Sequence, residues 1–270
     1  MWGRLQSKGP PVTLPTLFVS HGAPTLVVDD VPAHGFLKTL PALLSERPRA
    51  ILMISAHWET PVPAVSTVAQ PDTIHDFGGF PEALYRLQYP APGAPALAAR
   101  VVELLAAAGI SAATSASRGL DHGAWVPLML AWPDAQIPVT QLAVQTQLGA
   151  AHHYALGRAL APLRDEGVLI IGSGSFTHDL SEFRRSRLEM NSPEPGWVTG
   201  FADWMDAAIV GGRTDDLLAY RRLAPEAVHN HPTEEHLLPL HVALGAGGQG
   251  RRLHRSTTFG ILRMDAYAFE

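Results

Sequence analysis

The sequence predicts an α/β fold: a single domain with a central, mostly parallel or mixed sheet flanked by helices, and a metal site at the carboxyl ends of the strands. Three observations predict it. Short apolar runs alternate with stretches of helical periodicity. Those runs are apolar throughout, as expected of strands covered on both faces. Several of them also run directly into a histidine.

Residues 14–20, LPTLFVS, read as the first strand. A short helix fits 34–46, broken by Pro41. AILMIS, from Ala50, is the next strand, and PAVSTVA, 63–69, another. Residues 95–109 place Leu97, Val101, Leu104 and Leu105 at helical spacing and end on Gly109, as a helix should. VPLMLAW, 126–132, is apolar but short, so periodicity does not separate helix from strand. IPVTQLAV, 137–144, is strand-like; 150–167 is helix-like and again ends in glycine. VLIIGS, 168–173, has the pattern of a fully buried strand. GWVTGFADWMDAAIVGG suggests a helix, and 234–248 another, kinked by Pro239. TTFGILRMDAYAF closes the chain as a strand pair or one long strand. There is no internal repeat, and the loop-like 190–197 separates no independent units. Residues 1–270 are expected to form one domain.

Composition narrows the function. With 46% hydrophobic and 17% charged residues, the chain can bury a sizeable core. A net charge of −5 with scattered Lys and Arg argues against nucleic acid as partner. No apolar run reaches the ~18 residues of a membrane span. MWGRLQSKGPPVTLP lacks a continuous apolar region, so no signal peptide and a cytoplasmic location are expected. Cysteine is absent, which excludes disulfides and thiolate chemistry. A metal would be held by imidazole, carboxylate or water, donors that suit iron, zinc or manganese. The 13 histidines are many for this length.

Their positions are more telling than their number. LFVSHGAP puts His21 after the first strand, AILMISAHWET puts His57 after the second, and GSGSFTHDL puts His178 just beyond 168–173. One strand-end imidazole is ordinarily a cap. Three delivered to one sheet edge make a metal site, because the ligand crevice of an open α/β sheet lies outside the carboxyl ends of its strands. RGLDHGAWVPL sets His122 between a glycine-containing turn and an apolar segment. The segment 229–241 offers His229, His231, His236 and His241, with Glu234 and Glu235. His152 and His153 are expected on a wet helix face. His229 and His231 are expected to precede the last helix, with Pro232 as its first residue. His34 and His254 have no informative context.

SHGAP, SAHWET, TIHDFGGFPEALYRLQYPAPG, LDHGAWVPL, GSGSFTHDL and HPTEEHLLPLHVALGAGG follow one another between about residue 15 and residue 248. In this order they resemble the class III extradiol ring-opening dioxygenases, DOPA 4,5-dioxygenase type. SHG alone is weak; the 21-residue block at 73–93 and the ordered histidine motifs are specific. The resemblance implies a single α/β domain and one divalent metal, with His21 and His57 as ligands. The third ligand comes from PTEEH: His236 by analogy, or Glu235, since more distant relatives use a glutamate. His178 corresponds to a base beside the metal that ligates directly when zinc is bound. His122 corresponds to the second catalytic histidine. Fe(II) is the implied working metal, with Zn(II) carried by related proteins after purification. Glu234 stands where many relatives have proline.

The chemistry so implied inserts O2 into a catechol such as DOPA by 4,5-cleavage. A three-ligand site leaves positions open for the diol and for oxygen. A base near neutrality is then needed, assigned to His178, and a proton donor, assigned to His122. Glu59 and Asp179 either orient neighbouring imidazoles or are surface and helix-start carboxylates. IHDFGGFP reads as a loop over the site, in which His75 and Asp76 contact the substrate or fix the loop. Tyr85 and Tyr89 read as packing. Two other classes compete. A zinc hydrolase would use the same ligands with a metal-bound water, although the sequence lacks HExxH. A non-enzymatic metal binder would have no need of both His122 and His178.

Overall fold

The computed structural model describes residues 13–270. Most of the N-terminal stretch read as lacking a signal peptide, residues 1–12, lies outside them. The strands are β1 (Thr16–Ser20), β2 (Ala50–Glu59), β3 (Ala64–Ser66), β4 (Ala113–Ser115), β5 (Val139–Val144), β6 (Val168–Gly174), β7 (Gly250–His254), β8 (Thr257–Thr258), β9 (Leu262–Arg263) and β10 (Ala266–Phe269). Eight of them form one mixed sheet in the order β4-β3-β5-β2-β6-β1-β10-β7, while β8 and β9 pair separately. The centre, β5-β2-β6-β1, is parallel. All four of these strands therefore end at the same edge.

The helices are α1 (Pro32–Thr39), α2 (Pro95–Ala107), α3 (His122–Ala131), α4 (Gly149–Leu160), α5 (Leu180–Arg185), α6 (Gly196–Val210), α7 (Thr214–Leu218), α8 (Tyr220–Leu223), α9 (Ala227–Asn230) and α10 (Leu238–Gly247). They cover both sheet faces, which is why β2 is apolar without alternation. Ile51 and Met53 pack with Leu37 and Trp125 on one face. Leu52 and Ile54 pack with Leu97, Leu156 and Val242 on the other. No helix among the described residues is long and apolar enough to cross a membrane.

Several readings are corrected. β2 does not stop before His57. Its pairing with β6 ends at Ser55 and its register with β5 shifts between Ile54 and Glu59, so His57 sits in an irregular stretch of the same strand. VPLMLAW, which periodicity left open, lies largely in α3, where every residue but Met129 is buried, which erases the helical period. Pro239 occupies the first turn of α10 and begins that helix rather than kinking it. His229 lies within α9 and His231 caps its end, so Pro232 starts no helix. The last segment resolves into the β8–β9 pair followed by β10 in the main sheet.

Candidate metal centre

His21 follows β1 and is 2% exposed. Its N–H donates to Gly174 O at 3.0 Å, extending the β1–β6 ladder by one residue. Gly22 then turns the chain away at φ +62°, a conformation that costs any residue with a Cβ. Beneath the ring, α3 makes an unusual connection. Pro127 has no N–H to offer the carbonyl four residues earlier. That carbonyl, of Gly123, accepts the Ser173 hydroxyl instead, at 2.5 Å. With its one hydrogen committed, Ser173 Oγ can only accept from His21 Nδ1, 3.0 Å away. The proton is thereby placed on Nδ1, and the lone pair of Nε2 is left open.

His57 Nε2 lies 3.0 Å from His21 Nε2, while its Nδ1 lies 3.4 Å from Asp76 Oδ2. His236 is 5% exposed; its Nδ1 lies 2.9 Å from Glu235 Oε1, and its Nε2 is buried with no hydrogen-bond partner. The segment carrying it crosses β6 so closely that a Cβ at Gly174 would fall 1.9 Å from the His236 carbonyl. The three rings converge, with centroids 4.9 Å apart for His21–His57, 5.6 Å for His21–His236 and 5.0 Å for His57–His236. Two nitrogens bonded to one ion at about 2.0–2.1 Å stand roughly 3.0–3.4 Å apart, which matches the His21–His57 separation. Each Nδ1 faces a hydroxyl or carboxylate, the arrangement that fixes the tautomer of a metal-binding imidazole.

His178 and His122 flank this trio. The His178 ring stacks on His236 at 3.4 Å and 14°. His122 opens α3, 3.9 Å from the His57 ring. Both its backbone N–H (2.9 Å) and its Nδ1 (3.0 Å) face Asp76 Oδ1. Potential ligand atoms fall into two adjoining groups, His21–His57–His122 and His178–Glu235–His236.

The comparisons with known proteins decide what this arrangement belongs to. Residues 15–266 match the family of the catalytic LigB subunit of aromatic ring-opening dioxygenase. The chain belongs to that family. It is 47% identical over 260 residues to a 4,5-DOPA dioxygenase extradiol of Beta vulgaris, covering 94% of this chain and 96% of the relative. It is 41% identical to a protein of the same description from Escherichia coli K12, over 86% and 85% of the two chains. An uncharacterized Escherichia coli K12 protein of known crystal structure superposes with TM-score 0.76 at 33% identity, covering 95% of this chain and all of that one. This LigB-family chain is thus a metal-dependent extradiol dioxygenase acting on a small aromatic molecule and O2, and the zinc-hydrolase reading is not favoured.

The electrostatics of the LigB-family site suit a cation. Burial, reinforced by the neighbouring imidazoles, pushes His21 and His236 well below the ordinary histidine value. Burial and then His122 bring His57 to about 4, and burial brings His178 to about 4. The rings are therefore held neutral, the form that binds metal. Burial alone would raise Asp76, but the hydrogen bond and charge of His122 outweigh it and hold the carboxyl at about 2.

Not every expected residue takes the expected place. Asp76 braces His57 and His122, whereas His75 fixes the loop through Nε2, 3.0 Å from Leu87 O. Glu59 is exposed, accepts the Thr146 hydroxyl and has no imidazole as a hydrogen-bond partner. Asp179 caps α5 by accepting Ser181 N–H at 2.8 Å. Tyr89 is packing: buried, its hydroxyl donates to Trp132 O. His153 is fully buried, not wet. Sequence reasoning missed Ser173 and Asp121. The Asp121 carboxylate, 0% exposed, accepts from Ser55 (2.6 Å), Gln141 (2.9 Å) and Arg118 (2.5 Å), and Arg118 also donates to His57 O. The available signal was an aspartate placed as N-cap before an apolar run.

Proposed function

We propose that the chain opens a DOPA-like catechol beside its hydroxyls, by 4,5-cleavage. In this reading His21, His57 and His236 hold iron(II) through their Nε2 atoms, and one catalytic domain spans residues 1–270. Four relatives described as 4,5-DOPA dioxygenase extradiol, at 41–47% identity, support the substrate class. The single observation that carries the ligand set is the convergence of three imidazoles, each with Nδ1 against a hydroxyl or carboxylate, the Nε2 atoms of His21 and His57 facing each other and that of His236 without a partner among the described residues. Zinc fits the same nitrogen donors and is the ion expected in protein purified without added iron.

Bound iron(II) would supply the electron transfer between the catechol and O2 that side chains cannot perform. The chain supplies proton handling and placement. His178, neutral through burial, accepts a proton from a catechol hydroxyl. His122, oriented by Asp76 against its Nδ1, gives a proton to the opening ring from its other nitrogen. Asp76 thus belongs with the imidazoles rather than the substrate. The test is anaerobic loading with Fe(II), followed by a catechol panel in air. One O2 should be consumed per ring opened, both atoms should appear in a yellow semialdehyde, and nitrogen should abolish the reaction. An iron-loaded sample that takes up no oxygen across the panel overturns the proposal.

A further inference from the structure

The imidazoles open into a cavity of about 460 Å³ that is walled by His57, Glu59, Thr146, Thr233, Glu235 and His236. Among the described residues this wall is acidic: it carries two carboxylates and no lysine or arginine. His57 and His236, two of the proposed ligands, both line this cavity, so it borders the metal-binding rings. Glu235 is already committed to His236 Nδ1. Glu59 is not committed to the centre. Two residues after His57 in β2, it lines the same cavity. The Thr146 hydroxyl holds one of its oxygens from the side. An ionised carboxylate so placed accepts hydrogen bonds and cannot donate them.

Resting on the reading of the chain as a catechol dioxygenase, we infer that Glu59 recognises an ammonium group on the substrate's side chain. The site then selects catechols by charge. A ring seated at the imidazoles, with a two-carbon arm directed along the strand, brings an amine to Glu59. An arm ending in a carboxylate meets like charge there. The preferred class is therefore an aminoalkyl catechol, the amine being the recognised group whether or not a carboxylate accompanies it.

Three catechols that share a two-carbon linker and differ in what it carries test this: 2-(3,4-dihydroxyphenyl)ethylamine, 4-ethylcatechol and 3-(3,4-dihydroxyphenyl)propionate. With the iron-loaded protein, KM should rise in that order. The amine should gain about tenfold over the ethyl compound, the worth of one charge-assisted hydrogen bond. Glu59→Gln should collapse the amine-to-ethyl ratio of kcat/KM toward one, and Glu59→Asp should restore part of it. Calorimetric binding of the same three compounds to the zinc-loaded protein under nitrogen should give the same ranking without turnover. Oxygen uptake with 4-ethylcatechol but no preference for the amine in either assay overturns the role of Glu59 and leaves the dioxygenase reading standing. Ranked binding without oxygen uptake by the iron-loaded protein does the reverse.

Discussion

Two regions of the molecule bury histidine equally and use it differently. At the strand ends, His236 has one nitrogen held by Glu235 and the other without a partner among the described residues, and His21 has one held by Ser173 and the other facing only the Nε2 of His57. On α4 and α10, His153 and His241 are fully buried too, yet both nitrogens of each ring face backbone groups. His153 Nδ1 faces Gly149 O at 2.7 Å, and its Nε2 accepts Gln145 N–H. His241 faces the carbonyls of Leu237 and Leu217. The difference teaches that neither burial nor residue type marks a ligand. The mark is an open nitrogen that converges with others. His231 shows that both conditions are needed: its Nδ1 is buried and unpartnered, but it joins neither group of candidate ligands.

The comparison breaks most visibly if metal content fails to follow it. His21→Ala or His57→Ala should take the protein from about one bound divalent ion to none, by elemental analysis. His241→Ala should keep the ion and lose stability instead, by roughly 1–3 kcal/mol in urea unfolding, since it strips partners from buried groups. Full occupancy in the first pair would end the distinction.

Next in size is the separation of holding from turnover. His122→Ala should retain the ion while kcat falls by roughly 10²–10⁴-fold, the usual worth of a positioned acid or base. Parent-rate ring opening would remove His122 from the chemistry. A smaller effect tests the held nitrogen. Glu235→Gln and Ser173→Ala each loosen the partner of a ligand's Nδ1 and should weaken zinc affinity by about 10–100-fold in chelator competition. Unchanged affinity in both would mean the Nδ1 partners do not set the tautomers.

A last effect concerns pH and the buried histidines of α4 and α10. Burial holds His153 at about 3 and His241 at about 4, against 6.5 when free. Because these folded values lie below the unfolded one, falling pH protonates the unfolded chain first. Their stabilising share is complete above about 6.5 and is lost as pH falls from there toward 4. The slope is about 1.4 kcal/mol per pH unit per group. His153→Gln should remove one group's share of that slope, and urea midpoints between pH 4 and 7.5 would show it.

Much of this was legible in the sequence, for physical reasons. Strands covered on both faces cannot alternate, so β1, β2, β5 and β6 announced themselves as apolar runs, and their ends located His21, His57 and His178. His236 came from motif resemblance, because turn and loop residues carry no periodicity. α3 was ambiguous because a helix buried nearly all round has no polar face to set its period. His153 was misjudged as wet because the cover over α4 comes from α10 and α7, distant in sequence. The Pro127–Gly123–Ser173 relay to His21 joins three elements through a carbonyl, and no side-chain pattern reports it.

The most direct measurement is a crystal structure of the zinc-loaded protein with an anomalous map. The account predicts one peak at about 2.0–2.1 Å from Nε2 of His21, His57 and His236. It predicts no peak at His153 or His241. An ion bound by Glu235 or His178 in place of His236, or seated away from His21 and His57, would contradict it.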